Sequence, residues 1–142
     1  MAETKVTPTE TSTNQLGYVI QTTAVNTTST TYIQLGSLTT AVTIPAGGRN
    51  VKITACVTVY NNTAGNGVNL ALFSGTVAGT QLNATFYTST SANAQNCITL
   101  IAVVPAPAAG SATYTVGYNA SATTANINCS TTQPGLLLVE II

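Results

Sequence analysis

The segment Asn50–Tyr60, NVKITACVTVY, decides the fold. Val51, Ile53, Ala55, Val57 and Val59 form one alternate set of positions, and all are apolar. Lys52, Thr54, Cys56, Thr58 and Tyr60 form the other. Successive side chains on a strand point to opposite faces, so this period of two predicts a half-buried β-strand. The β-branched residues that fill it are stiff at χ1 and pack well on a pleated surface. The turn Pro45–Gly48, PAGG, precedes it, and the polar loop Asn61–Gly67, NNTAGNG, follows it.

The same reading extends outward in both directions. Leu16–Val25, Thr31–Gly36 and Leu38–Ile44 precede this strand, and Val68–Ser74 and Thr80–Thr88 follow it. Gln95–Val104, Ser111–Ala120, Ala125–Asn128 and Leu136–Ile142 complete the set. Val68, Leu70 and Leu72, then Ile98, Leu100, Ala102 and Val104, then Tyr114, Val116 and Tyr118 are the expected core positions. No segment shows apolar residues recurring at three and four. The prediction is an all-β sandwich of about eight to ten antiparallel strands over residues 16–142, with an extended arm at residues 1–15. A jelly roll and an immunoglobulin-like sandwich both satisfy the count.

Composition limits the chemistry. Of 142 residues, six are charged: Glu3, Lys5, Glu10, Arg49, Lys52 and Glu140. There is no His, Asp or Trp, while Thr, Asn, Ser and Gln make up 57 positions. Acid–base catalysis needs a group that titrates near neutrality, and a Ser–His–Asp triad needs two residue types that are missing. Metal and cofactor sites lack their usual ligands, and a calcium site would lack its charged oxygens. The expectation is therefore no enzyme activity, no metal and no cofactor. Three basic residues argue against nucleic-acid binding through phosphates. No apolar run approaches the ~18 residues of a membrane helix. Met1–Gln15 has no apolar core of a signal peptide, so the chain is expected to be made in a cytoplasm, or exported by a route the sequence does not show.

Soluble surfaces normally carry about a quarter to a third charged residues. This chain has too few, so part of its surface is expected to be covered in an assembly. Cys97, Ile101 and Val103 lie opposite the core face of Gln95–Val104 and are the expected interface with another subunit, since a strand apolar on both faces is covered on both. Arg49, Lys52 and Glu140 are candidates for ion pairing, because a charge within the apolar last strand calls for a partner. Cys56, Cys97 and Cys129 are expected to be buried thiols, with one intrachain bridge, or bridges between copies, left open in an oxidising medium. The six tyrosines are expected to pack on strand faces with their hydroxyls outward, or else to stack on sugars. Asn61, Asn62 and Asn66 form a loop with glycan-binding potential.

Several pieces resemble one family: LGYVIQTT, LTTAVTIPAGGRNVKITACVTV, GVNLALFSGTVAGTQL, SATYTVGYNASATTANI and TTQPGLLLVEII. Together they resemble the jelly-roll domains of bacteriophage virion proteins. Those domains are similar to the trimeric heads of the tumour-necrosis-factor and complement-globular-head families. The resemblance spans residues 16–142 and implies a jelly roll, a homotrimer and a place on the virion. The arm has neither heptads nor collagen-like repeats and is too short for a fibre shaft, which favours a capsid decoration protein bound to the major capsid protein or another virion protein. In that reading Glu3, Lys5, Val6 and Glu10 anchor the arm on the capsid by strand addition and charge pairing. The alternatives are a fibre-head knob recognising a receptor or host glycan and, more remotely, an extracellular filament subunit that donates a strand.

Overall fold

The computed structural model describes residues 14–142, and Glu3, Lys5, Val6 and Glu10, which the sequence reading expects to anchor the arm, lie outside them. Ten strands follow in order: β1 (Gln15–Gln21), β2 (Val25–Thr27), β3 (Ile33–Ile44), β4 (Val51–Asn61), β5 (Gly67–Ser74), β6 (Thr80–Thr88), β7 (Asn96–Val104), β8 (Gly110–Ala120), β9 (Ala125–Ile127) and β10 (Gly135–Ile141). One sheet runs β1-β10-β4 with β7 on the far side of β4, and the short strands β9 and β2 extend it beside the end of β4. The other runs β3-β8-β5-β6.

The long strands pair from the outside of the chain inward. The first pairs with the last (β1·β10), then β3 with β8, β4 with β7 and β5 with β6, all antiparallel. Each successive pair lies in the sheet opposite the previous one: β1·β10 and β4·β7 share one sheet, and β3·β8 and β5·β6 the other. This is a long antiparallel ribbon rolled around a core, the jelly-roll wrap, and it excludes the immunoglobulin-like alternative.

Alternation places the core where the sequence put it. Val51, Ile53, Ala55, Val57 and Val59 are buried, as are Val68, Leu70 and Leu72 across the sandwich. Leu100, Ala102, Tyr114, Val116, Tyr118, Leu137 and Val139 join the same cluster. β5 departs from simple alternation: Ala71 and Phe73 on its other face are buried too. The Phe73 ring meets Tyr32 edge-on, with centroids 5.4 Å apart.

Two boundaries differ from the sequence reading. The segment Leu16–Val25 divides into β1 and β2, and Gln15 belongs to β1 rather than to the arm. Thr31–Gly36 and Leu38–Ile44 fuse into β3. Gly36 takes φ +50°, and a register shift between Gln34 and Thr39 marks an irregularity that bends the strand without ending it. The buried Gln21 side chain fills that bend. Its Oε1 accepts from Ser37 N and Ser37 Oγ, each at 2.7 Å, and its Nε2 donates to Thr23 O at 2.6 Å.

Asn61 closes one end of the sandwich. Its side chain is fully buried. Nδ2 donates to Ala122 O at 3.1 Å and Gly67 O at 3.3 Å. Oδ1 accepts from Thr63 N at 3.0 Å and Thr123 Oγ1 at 2.7 Å. The buried Ser89 accepts from Asn61 N through its Oγ at 2.8 Å. Loops from β4, β6 and β8 are thus tied to one point.

Candidate interaction face

The outer side of the β1-β10-β4-β7 sheet carries the most unusual chemistry of the molecule. Register sets its rows. Tyr18, Leu138, Thr54 and Ile101 lie directly opposite one another across four strands. Ile20, Leu136, Cys56 and Thr99 form the next row. Glu140, Lys52 and Val103 form the row on the other side. The flanking positions Val19, Leu137, Val139, Ile53 and Leu100 point into the core, so the rows face outward.

Tyr18 is 52 %, Ile20 42 %, Ile101 50 % and Val103 49 % exposed. These are four of the seven large apolar side chains exposed among the described residues, gathered on one face. Leu136 and Leu138 lie between them, half-buried. Scattered apolar residues are ordinary on a surface, but a contiguous group marks an interaction site.

The face has two charges, and they cancel. Lys52 Nζ lies 2.8 Å from Glu140 Oε2, in a directly opposed cross-strand pair. Of the three candidates for ion pairing, the fold joins these two. Arg49 sits exposed in the preceding turn and makes no ion pair among the described residues. A cross-strand pair of this exposure contributes about 0.2–1 kcal/mol. Its larger effect is to leave the face neutral.

The expected interface residues Cys97, Ile101 and Val103 all lie on this side, on β7. Sequence reasoning missed Tyr18, Ile20, Leu136 and Leu138, which β1 and β10 contribute. The signal was present in the uninterrupted apolar runs YVI and LLLV, which leave no polar residue for an outer face.

The cysteine expectation needs correction. Cys129 is buried, and burial pushes its thiol above the ordinary value. Cys97 is exposed and Cys56 half-buried, because alternation turns both outward. Their sulfurs are 3.3 Å apart. The contact with Cys56, then burial, pushes the Cys97 thiol upward. An open cleft of about 260 Å³, lined by both cysteines with Val57, Thr58, Gln133 and Pro134, lies beside them.

The other polar candidates serve the fold. Tyr114 and Tyr118 lie inside the core, not with their hydroxyls at the surface, and burial pushes both hydroxyls above the ordinary range. The Tyr87 hydroxyl donates to Ala94 O at 3.0 Å. Asn66 Nδ2 donates to Thr123 Oγ1 at 3.1 Å, and Asn62 Oδ1 accepts from Thr124 N at 3.4 Å. Asn61 and Asn66 thus spend their amide nitrogens on the protein's own atoms, and the exposed Asn62 contributes its Oδ1.

No family model matches the chain, and no curated protein matches it. Solved structures do. The C-terminal domain of EclA, a sugar-binding protein, aligns at 15 % identity and a TM-score of 0.40, covering 86 % of this chain and 79 % of that one. The enzymatically active domain of bacteriophage CBA120 tailspike protein 4 aligns at 13 % identity and TM-score 0.33, over 91 % of this chain and 19 % of that one. A structure of infectious bursal disease virus, Gt strain, aligns at 11 % identity and TM-score 0.40, over 92 % and 38 %. At these scores the similarity is one of β-rich architecture. The jelly-roll assignment stands on the strand order of the chain itself.

Proposed function

We propose that this protein is a non-catalytic structural subunit of a bacteriophage virion, a homotrimer that decorates the capsid surface. The observation that carries the reading is the neutral, apolar outer face of the β1-β10-β4-β7 sheet. A monomer would hold Tyr18, Ile20, Ile101 and Val103 half in water. Covering the exposed half of each is worth about 1 kcal/mol per side chain. An apolar face without net charge suits another copy of the same chain, and in a closed trimer it meets a different patch of its neighbour. The trimeric stoichiometry and the virion come from the sequence resemblance to phage jelly-roll domains.

The mass of the protein in solution tests the assembly. The expected result is a trimer at micromolar concentration, and a monomer for Ile101→Glu/Val103→Glu with its melting temperature as a folded domain retained. A monodisperse wild-type monomer overturns the assembly. Imaging virions with and without the protein tests the location. A monomer that binds a glycan array would instead support the fibre-head knob.

A further inference from the structure

We propose that Cys56 and Cys97 form a redox-active dithiol, closed into an intrachain disulfide by a small-molecule disulfide such as oxidised glutathione. The two residues sit on neighbouring strands, β4 and β7, and on the same outward face. They are diagonal neighbours and not directly opposed, since Cys56 faces Thr99 and Cys97 faces Thr58. Their sulfurs nevertheless meet at 3.3 Å. Forming a bond of about 2.05 Å asks the sulfurs to close by roughly a further 1.3 Å. Cys129 takes no part, being buried on the other side of the sheet among core residues.

The site can hold little else. Among the described residues no group of three His, Cys, Asp or Glu lies together, so the two thiols have no further ligands with which to complete a tetrahedral zinc site. The cleft bordered by Gln133 and Pro134 gives a small oxidant access to Cys97.

The chemistry balances in two exchanges. Cys97, the more exposed thiol, loses its proton and attacks one sulfur of the small disulfide, releasing one thiolate and leaving a mixed disulfide. The Cys56 thiolate then attacks the Cys97 sulfur and releases the second thiolate. Two electrons pass from the protein thiols to the small disulfide, and the two protons end on its two thiol products. Diagonal positions on an antiparallel pair lie about 7–8 Å apart at Cα, just beyond the usual ~4.4–6.8 Å span of a disulfide. Closure therefore draws the strands together, and the strained bridge is one that reducing thiols reopen. The step uses two thiols of one chain, but Cys97 lies on the face that the proposed assembly covers, so the test also treats the Ile101→Glu/Val103→Glu monomer, in which that face is open.

The experiment treats native wild type with oxidised glutathione and reads intact mass and free thiols. Peptide mapping needs a protease other than trypsin, because no Lys or Arg follows Lys52 and all three cysteines fall in one tryptic fragment. The expected wild-type product is lighter by two hydrogens, retains one free thiol and contains a Cys56–Cys97 link that mild reductant reverses. Cys129→Ser should behave the same with no free thiol left. Cys56→Ser should stop at the mixed disulfide on Cys97. Three free thiols remaining in both treated wild type and the treated Ile101→Glu/Val103→Glu monomer would overturn the proposal. So would a bridge that includes Cys129, or a covalent dimer as the main product.

Discussion

Replacing Asn61 by Ala should cost about 3 kcal/mol, although the residue touches neither the interaction face nor any ligand. Four side-chain hydrogen bonds disappear. The 3.3 Å bond to Gly67 O contributes least, since that carbonyl also accepts from Ser121 N at 3.1 Å. The other three, at 2.7–3.1 Å, contribute a net ~1 kcal/mol each. Their partners Thr63, Thr123 and Ala122 are exposed and can turn to water, which limits any further penalty. For a domain of this size the loss corresponds to a fall in melting temperature of roughly 10 °C. Asn61→Asp sharpens the test. It keeps both acceptor bonds but points an oxygen at two carbonyls. A carboxyl there is favoured in its protonated form, so its folded pKa is raised above the unfolded ~3.9. Stability of that variant should be best below about pH 4 and fall as pH rises through the raised value. Urea unfolding followed by far-ultraviolet dichroism measures both. A cost below about 1 kcal/mol for Asn61→Ala would refute the reasoning, because it would mean that the loops after β4 and β8 hold together without the Asn61 side chain.

Other outcomes follow from the same geometry. Gly36→Ala should destabilise by more than ~1 kcal/mol, because the new methyl meets the Gln21 amide at a left-handed backbone position; equal urea midpoints would contradict this. A double-mutant cycle on Lys52→Met and Glu140→Met should give a coupling of about 0.2–1 kcal/mol in the monomer. In the trimer, removing only one of the two charges should cost several-fold more, as a buried charge loses its partner, and equal costs in the two states would place the pair outside the interface. Raising pH should leave stability flat through neutrality. Cys129, Tyr114 and Tyr118 have folded pKa values raised by burial. Their contribution is complete below the unfolded values, about 8.5 for Cys and 10 for Tyr, and is lost as pH climbs through the folded ones. Melting scans from pH 7 to about 11 should show the decline only on the alkaline side.

What the sequence made legible is what is local. Alternation in Val51–Val59 named five core residues because pleating acts between neighbours along one strand. Strand partners are not local. Nothing in Leu136–Ile142 states that it inserts between β1 and β4, so the row Tyr18–Leu138–Thr54–Ile101 could not be assembled from the sequence. The meeting of Cys56 and Cys97 depends on the β4·β7 register across 41 positions, which residue spacing does not reveal. Asn61 resembled a ligand-binding loop residue because its type is polar and its neighbours are polar. Its burial is set by three loops brought together at one end of the sandwich. Gly36 resembled a strand end for a related reason: the chemistry that stops a strand also bends one.

The pairing of the first strand with the last has a consequence for how the protein is made. β10 leaves the ribosome after all nine other strands, yet its place lies in the interior of its sheet, between β1 and β4. Until it arrives, β1 has no hydrogen-bonded neighbour and the inner flank of β4 stays open beside Val51–Cys56. The nascent chain thus carries two unpaired, strongly apolar edges until β10 is made, the state most prone to joining another chain. Loss of Gly135–Ile141 would remove a keystone rather than trim a margin. Folding dominated by such distant contacts is slow, so yield in a cell should depend on how fast β10 is delivered and not on how stable the finished sandwich is.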